Sequence, residues 1–85
     1  MKQNKINKKF VYLISPNKIP NINFYNDLAH VLSSKKISFF QLRLKKETNS
    51  NKLIIGKKIK KICNKYNVKF LINDDPLLAK KLNED

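Results

Sequence analysis

The chain has a single glycine, a single cysteine, three prolines and no tryptophan in 85 residues. One glycine cannot build a glycine-rich phosphate loop, whose tight turn and close backbone approach need several. One cysteine excludes a disulfide framework and a cysteine-based zinc module. There is also only one histidine. With no supporting motif around either residue, a Ser-His-Asp or Cys-His nucleophile has no basis. No apolar run approaches the ~18 residues of a membrane span, so no membrane partner is expected. Phe10–Ile14 is too short for a signal-peptide core, and Ser15-Pro16-Asn17-Lys18 breaks it at once. The expected compartment is a reducing cytoplasm. Acidic residues are scarce as well: Asp+Glu number 6 against Lys+Arg 19, a formal net charge of +13.

Hydrophobic residues make up 41% of the chain, too many for a disordered polar tail. The length allows one small domain at most. A chain of this size buries only roughly 60% of the surface its unfolded form exposes, so it cannot enclose a large active site alone. The charge invites a nucleic-acid reading, because basic surfaces attract phosphate backbones. Yet 18 of the 19 basic residues are Lys, and Arg43 is the single Arg. Arg is the residue that contacts phosphate and guanine in a bidentate way. The chain also holds 12 Asn and 10 Ile. Lys, Asn and Ile together match the coding bias of an A+T-rich genome. Most of the charge is therefore read as background, with no specific nucleic-acid partner.

Residues 1–9 are polar and Lys/Asn-rich and read as a flexible basic leader. Phe10-Val11-Tyr12-Leu13-Ile14 is a continuous apolar run of the kind found in strands covered on both faces. Phe24, Leu28, Val31 and Leu32 then follow helical spacing, with Asn21 or Asn23 as candidate caps. His30 lies off that stripe and reads as solvent-facing. Ile37 to Leu44 is a second strand candidate, and Lys45 to Asn51 a polar turn. Ile55, Ile59, Ile62, Cys63 and Tyr66 form the cleanest helical stripe. Lys57, Lys58, Lys60, Lys61 and Lys65 fill its solvated side. Cys63 within the stripe reads as a small core residue. Gly56 sits inside this helix, where it costs up to ~1 kcal/mol against Ala, and close packing is one reason for it. Val68 to Ile72 is a third strand. Asp75 then Pro76 gives an N-cap and a favoured first helical residue for a third helix carrying Leu77, Leu78 and Leu82. Strand-to-strand spacing is that of a βαβ unit, so the chain reads as α/β with parallel strands.

The second strand carries the most informative pattern. Side chains alternate faces with period two. Ile37, Phe39, Gln41, Arg43 and Lys45 share one face, apolar at the start and cationic toward the C-terminal end. A plain sheet buried on both faces gains nothing from Arg43 there, since an unpaired buried charge costs several kcal/mol. A barrel packed below and open above fits better, because catalytic groups of such barrels sit at the C-terminal ends of strands. The third strand repeats the polarity, ending in Asn73 and Asp74. Adjacent parallel strands bring these near Arg43 and Lys45. Two cations, an amide and a carboxylate at one mouth suit a diphosphate with Mg²⁺. The alternative is structural: Asp74 caps the third helix and Arg43 pairs with it.

Three segments together resemble a known family: Tyr12-Leu13-Ile14-Ser15, Gln41-Leu42-Arg43-Leu44-Lys45, and Ile72-Asn73-Asp74-Asp75 with Leu78-Ala79 just after. They are similar to the N-terminal part of the thiamine phosphate synthase family, over residues 10–85. The resemblance implies a (β/α)8 barrel that joins a pyrimidine diphosphate to a thiazole phosphate and releases pyrophosphate. It implies small-molecule substrates and a Mg²⁺ cofactor. Gln41, Arg43, Lys45 and Asn73 would bind the pyrimidine diphosphate, with Arg43 and Lys45 the catalytic cations. Asp74 would bind Mg²⁺. In such a family the diphosphate leaves first and the thiazole nitrogen traps the pyrimidine methylene cation. Stabilising the leaving group is then the main task.

The departure is length. A barrel of this type takes roughly 200–250 residues. The chain reads as its first three strand–helix units, an N-terminal fragment that is inactive alone. The family's second metal carboxylate and thiazole-phosphate site would lie beyond Asp85. A thiazole tautomerase-like paralogue is the nearest alternative, and the full Gln41, Arg43, Lys45, Asn73 and Asp74 set weighs against it. A small basic nucleic-acid-binding domain is the other. It needs exposed aromatics, whereas Phe39, Phe40, Tyr66 and Phe70 fall on expected buried positions. The sequence leaves the oligomeric state open.

Overall fold

The computed structural model describes residues 11–83. The expected leader, residues 1–9, and Phe10 at the expected start of the first strand lie outside the described residues. The elements run β1 (Tyr12–Ile14), α1 (Asn23–Leu32), β2 (Phe39–Leu42), α2 (Asn49–Lys65), β3 (Lys69–Ile72) and α3 (Pro76–Asn83). This is the α/β alternation that the spacing of apolar runs predicts. Among the described residues no helix is long and apolar enough to cross a membrane.

The strands form one parallel sheet in the order β1-β2-β3. Tyr12 pairs with Phe39 and Ile14 with Gln41. Phe39 in turn pairs with Lys69, and Leu42 with Ile72. Sequential order joined by right-handed crossovers puts every helix on the same side of a sheet. The helices accordingly form one layer, α1 against α2 and α2 against α3. A doubly wound sheet would instead reverse its order at a switch point.

Period-two alternation then divides the sheet into two unlike faces. Phe40 and Leu42 are fully buried, and Leu13, Phe70 and Ile72 pack with them against the core. Leu28 and Leu32 of α1, Ile55, Ile59 and Cys63 of α2, and Leu78 and Leu82 of α3 cover this face. Burying each large side chain contributes about 1.5–3 kcal/mol. The opposite face carries Tyr12, Ile14, Phe39, Gln41 and Leu71, and no helix lies on it among the described residues. The expectation that the first strand is covered on both faces is therefore corrected. Tyr12 is 58% exposed and Ile14 51% exposed, because β1 is an edge strand and only its Leu13 side meets the helices.

Helix ends explain the other departures from the sequence reading. The polar stretch expected to be a turn through Asn51 is already helical from Asn49. Thr48 is its N-cap, accepting a hydrogen bond at its Oγ1 from the Asn51 amide at 3.2 Å. α1 begins after Ile22, which has no capping side chain, while Asn21 Oδ1 accepts from the Asn23 amide at 2.9 Å. Val31, expected in the buried stripe, is 41% exposed at the edge of the α1 contact. α2 stops where Asn67 adopts φ 58°, a left-handed conformation that Asn tolerates. The Val68 amide then donates back to the Cys63 carbonyl at 2.9 Å, satisfying a terminal carbonyl and aiming the chain into β3. Gly56 has the close-packing reason that its position suggests. A Cβ there would lie 2.9 Å from Leu82 Cδ1 of α3.

Candidate active site

The polar side chains gather at the C-terminal ends of β2 and β3. Gln41 projects from the open face, and its Nε2 donates to Asn73 Oδ1 at 2.9 Å. Asn73 Nδ2 donates in turn to Asp74 Oδ2 at 3.3 Å. The Asn73 amide donates to the Leu42 carbonyl at 3.0 Å, which extends the β2–β3 ladder one step past the strand. Three of the expected site residues are thus joined in one chain of hydrogen bonds across two adjacent strands. Lys45 lines a small cleft of about 50 Å³ with Asn73, Asp74, Asp75 and Lys52.

Asp74 sits at φ 53°, in the left-handed region, just before α3. Asp tolerates that region better than most residues, and such conformations cluster at functional sites. The capping role falls on its neighbour. Asp75 Oδ1 accepts from the Leu78 amide at 3.1 Å, and Asp75 Oδ2 takes an ion pair from Lys52 Nζ at 3.2 Å. The alternative in which Asp74 caps the third helix and pairs with Arg43 is corrected by this geometry. The carboxylate one residue later holds the cap, because it precedes Pro76 at the first helical position. Among the described residues Arg43 makes no ion pair with Asp74. Arg43 and Lys45 are both exposed and lie on the loop that leaves β2. Hydrogen bonds therefore link Gln41, Asn73 and Asp74, Lys45 shares a cleft with Asn73 and Asp74, and Arg43 has no ion pair among the described residues.

Three residues to which the sequence assigns no role of their own shape this end of the sheet. Ser15 is a buried polar residue, 5% exposed, and its Oγ accepts from the Arg43 amide at 2.8 Å. Glu47 Oε2 accepts from the Ile19 amide at 3.3 Å, which ties the loop after β1 to the loop after β2. Lys52 reaches from α2 to Asp75. Ser15 and Asp75 lay inside the motifs already singled out. Glu47 and Lys52 carry no pattern in the sequence, since their partners are 28 and 23 residues away.

Elsewhere the side chains offer less chemistry. Burial pushes the Cys63 thiol up to about 12, so it stays protonated and inert at neutral pH. His30 is exposed, in keeping with its place off the α1 stripe. No cluster of three or more His, Cys, Asp or Glu occurs among the described residues. The lysines of α2 are partly engaged in the fold. Lys58 sits over the Tyr25 ring at 5.1 Å, Lys65 over Tyr66 at 5.5 Å, and Lys60 Nζ donates to the Leu82 carbonyl at 2.6 Å. The Tyr25 and Tyr66 rings beside this helix are thus already faced by lysines of the fold.

A family model described as thiamine monophosphate synthase matches residues 11–85. A curated protein of Pelagibacter ubique (strain HTCC1062), named thiamine-phosphate synthase, is 92% identical over all 85 residues. The chain spans 41% of the length of that relative. No solved structure matches the chain.

Proposed function

The chain belongs to the thiamine monophosphate synthase family, and on that premise we propose that it carries the pyrimidine-diphosphate half of a thiamine phosphate synthase site. The reaction is a substitution at a methylene carbon. The bond from that carbon to the diphosphate oxygen breaks and a bond to the thiazole nitrogen forms. The products are thiamine phosphate and pyrophosphate. The observation that carries this reading is the Gln41–Asn73–Asp74 hydrogen-bond chain beside Lys45, at the C-terminal ends of adjacent parallel strands. A site that must release a diphosphate needs fixed cations where negative charge grows.

In this reading Arg43 and Lys45 take the diphosphate oxygens and stabilise them as charge builds on the leaving group. Gln41 and Asn73 orient the pyrimidine. Asn73 has one amide hydrogen left after bonding Asp74, and Gln41 keeps its carbonyl oxygen. Among the described residues neither Arg43 nor Lys45 is held in an ion pair, so none has to be broken before they bind. Mg²⁺ fits the donor set in a limited way. Asp74 is exposed, with one oxygen bonded to Asn73 and the other open. Mg²⁺ is commonly held by one or two carboxylates with water and substrate phosphates. Asp74 would hold it, and when bound it would neutralise diphosphate charge. The cytoplasm is the setting we infer, with small-molecule substrates and no specific nucleic acid.

We extend the proposal to architecture: the sheet is the first three units of a (β/α)8 barrel, with the open face turned to the barrel interior. Support comes from the sequential strand order, the single helical layer and the polar strand ends. The 85-residue chain alone is then expected to be inactive. The test is a chimera in which this chain replaces the matching 85 residues of the Pelagibacter relative. It should form thiamine phosphate from the two substrates, and the 85-residue chain should not. Arg43→Ala in the chimera should lower kcat/KM for the pyrimidine diphosphate by about 100-fold or more, the scale of one lost charge-stabilising group. Near-normal turnover by that variant would remove the diphosphate role.

A further inference from the structure

Ser15 occupies a place in the sheet that a backbone carbonyl would normally fill. In a parallel pair every second residue of a strand donates to one residue of its neighbour and accepts from the residue two positions further along. Ile14 pairs with Gln41, so Ser15 lies opposite Leu42 by register. The Ser15 amide duly donates to the Gln41 carbonyl at 2.9 Å. The next bond of the ladder should run from the Arg43 amide to the Ser15 carbonyl. The Arg43 amide instead donates to Ser15 Oγ at 2.8 Å. The Ser15 hydroxyl proton goes on to the Pro16 carbonyl at 3.1 Å. The side chain has replaced the main chain as acceptor at the point where Pro16 ends the strand.

The exchange has a consequence for Arg43. Its residue is the first past β2, and its side chain is held by no ion pair among the described residues. Its backbone is fixed toward β1 by this hydrogen bond. Ser15 is buried, so water is poorly placed to substitute for the hydroxyl. We propose that Ser15 is a positioning residue for Arg43: it sets the backbone from which the guanidinium reaches the diphosphate. The inference rests on the diphosphate role of Arg43 proposed above. It predicts that Ser15 acts chiefly on the pyrimidine diphosphate, because its hydrogen bonds run to Arg43, Gln41 and Pro16.

Two measurements on the chimera separate this inference from the functional reading beneath it. The first is hydrogen exchange of the peptide containing Arg43. Ser15→Ala should speed exchange there by about tenfold, the scale of one lost buried hydrogen bond. Unchanged exchange would overturn the positioning role whether or not the chimera is active. The second is steady-state kinetics with both substrates. Ser15→Ala should raise KM for the pyrimidine diphosphate by about tenfold and leave KM for the thiazole phosphate unchanged. An equal rise for both substrates would mark Ser15 as merely structural. Ser15→Thr and Ser15→Val guard against a folding defect, since they match in shape and differ in the hydroxyl. Thr should behave like Ser and Val like Ala. Equal behaviour of the two would overturn the proposal.

Discussion

Phe39 and Phe40 are neighbours on β2, with the same side chain and opposite surroundings. Phe40 is fully buried under the helical layer. Phe39 is half-buried on the open face, stacked on Tyr12 with ring centroids 4.6 Å apart. The same division runs across the sheet. Leu13, Leu42 and Ile72 join the core, whereas Ile14 and Leu71 lie outside it. The helix-covered face holds the fold together. The open face is apolar too, yet among the described residues no helix covers it, and it ends in Gln41 and the polar cluster. An apolar face beside a polar mouth is what a barrel interior presents.

The largest effect that tests this division is on stability. Phe40→Ala should destabilise by about 3–5 kcal/mol, since it removes a buried ring and leaves a cavity. Phe39→Ala should cost about 1–2 kcal/mol, the worth of an aromatic pair plus partial burial. Urea denaturation of both variants measures the difference. Equal losses would break the comparison, because the two faces would then contribute alike.

A smaller effect lies within the covered face. Gly56→Ala gains up to ~1 kcal/mol of helix propensity. Its new methyl would meet Leu82 Cδ1 at 2.9 Å and Cδ2 at 3.3 Å. Leu82 is 2% exposed and has little room to move away. Overpacking of this kind costs about 1–3 kcal/mol. The net result should be a loss of about 1 kcal/mol in the same denaturation experiment. A gain in stability would mean that α2 and α3 are less closely packed than their contact indicates.

Much of this was legible in the residues, for reasons that can be named. The helical stripe Ile55, Ile59, Cys63 was readable because burial of one face imposes a period. The Asp75-Pro76 pair was readable because a cap is local in sequence. The grouping of Gln41 with Asn73 followed from parallel pairing of two polar strand ends. The start of α2 at Asn49 was not legible, since Asn and Ser at a helix start look like turn residues. Nor was the exposure of Tyr12 and Ile14. An apolar run signals burial, and whether a face is covered depends on what lies elsewhere in the protein. Ser15 was visible in a motif, but its role needed the register of β1 against β2.

The smallest expected effect is the sharpest on the open face. Ile14 is 51% exposed on it. Thr suits a strand as well as Ile does, and an exposed substitution usually changes stability by less than about 0.5 kcal/mol. Ile14→Thr should therefore leave the denaturation midpoint of the 85-residue chain nearly unchanged. In the chimera the outcome should differ. If further strands enclose the open face, position 14 is buried there, and a hydroxyl without a partner costs about 1–3 kcal/mol. The same substitution should then be silent in the chain and destabilising in the chimera. A silent result in both would mean that the face stays open in the longer protein, and the barrel reading would fall. A loss in both would mean that the face is already covered in the chain, most simply by a second copy pairing through it. The contrast between the faces thus becomes a measurement of what completes the sheet.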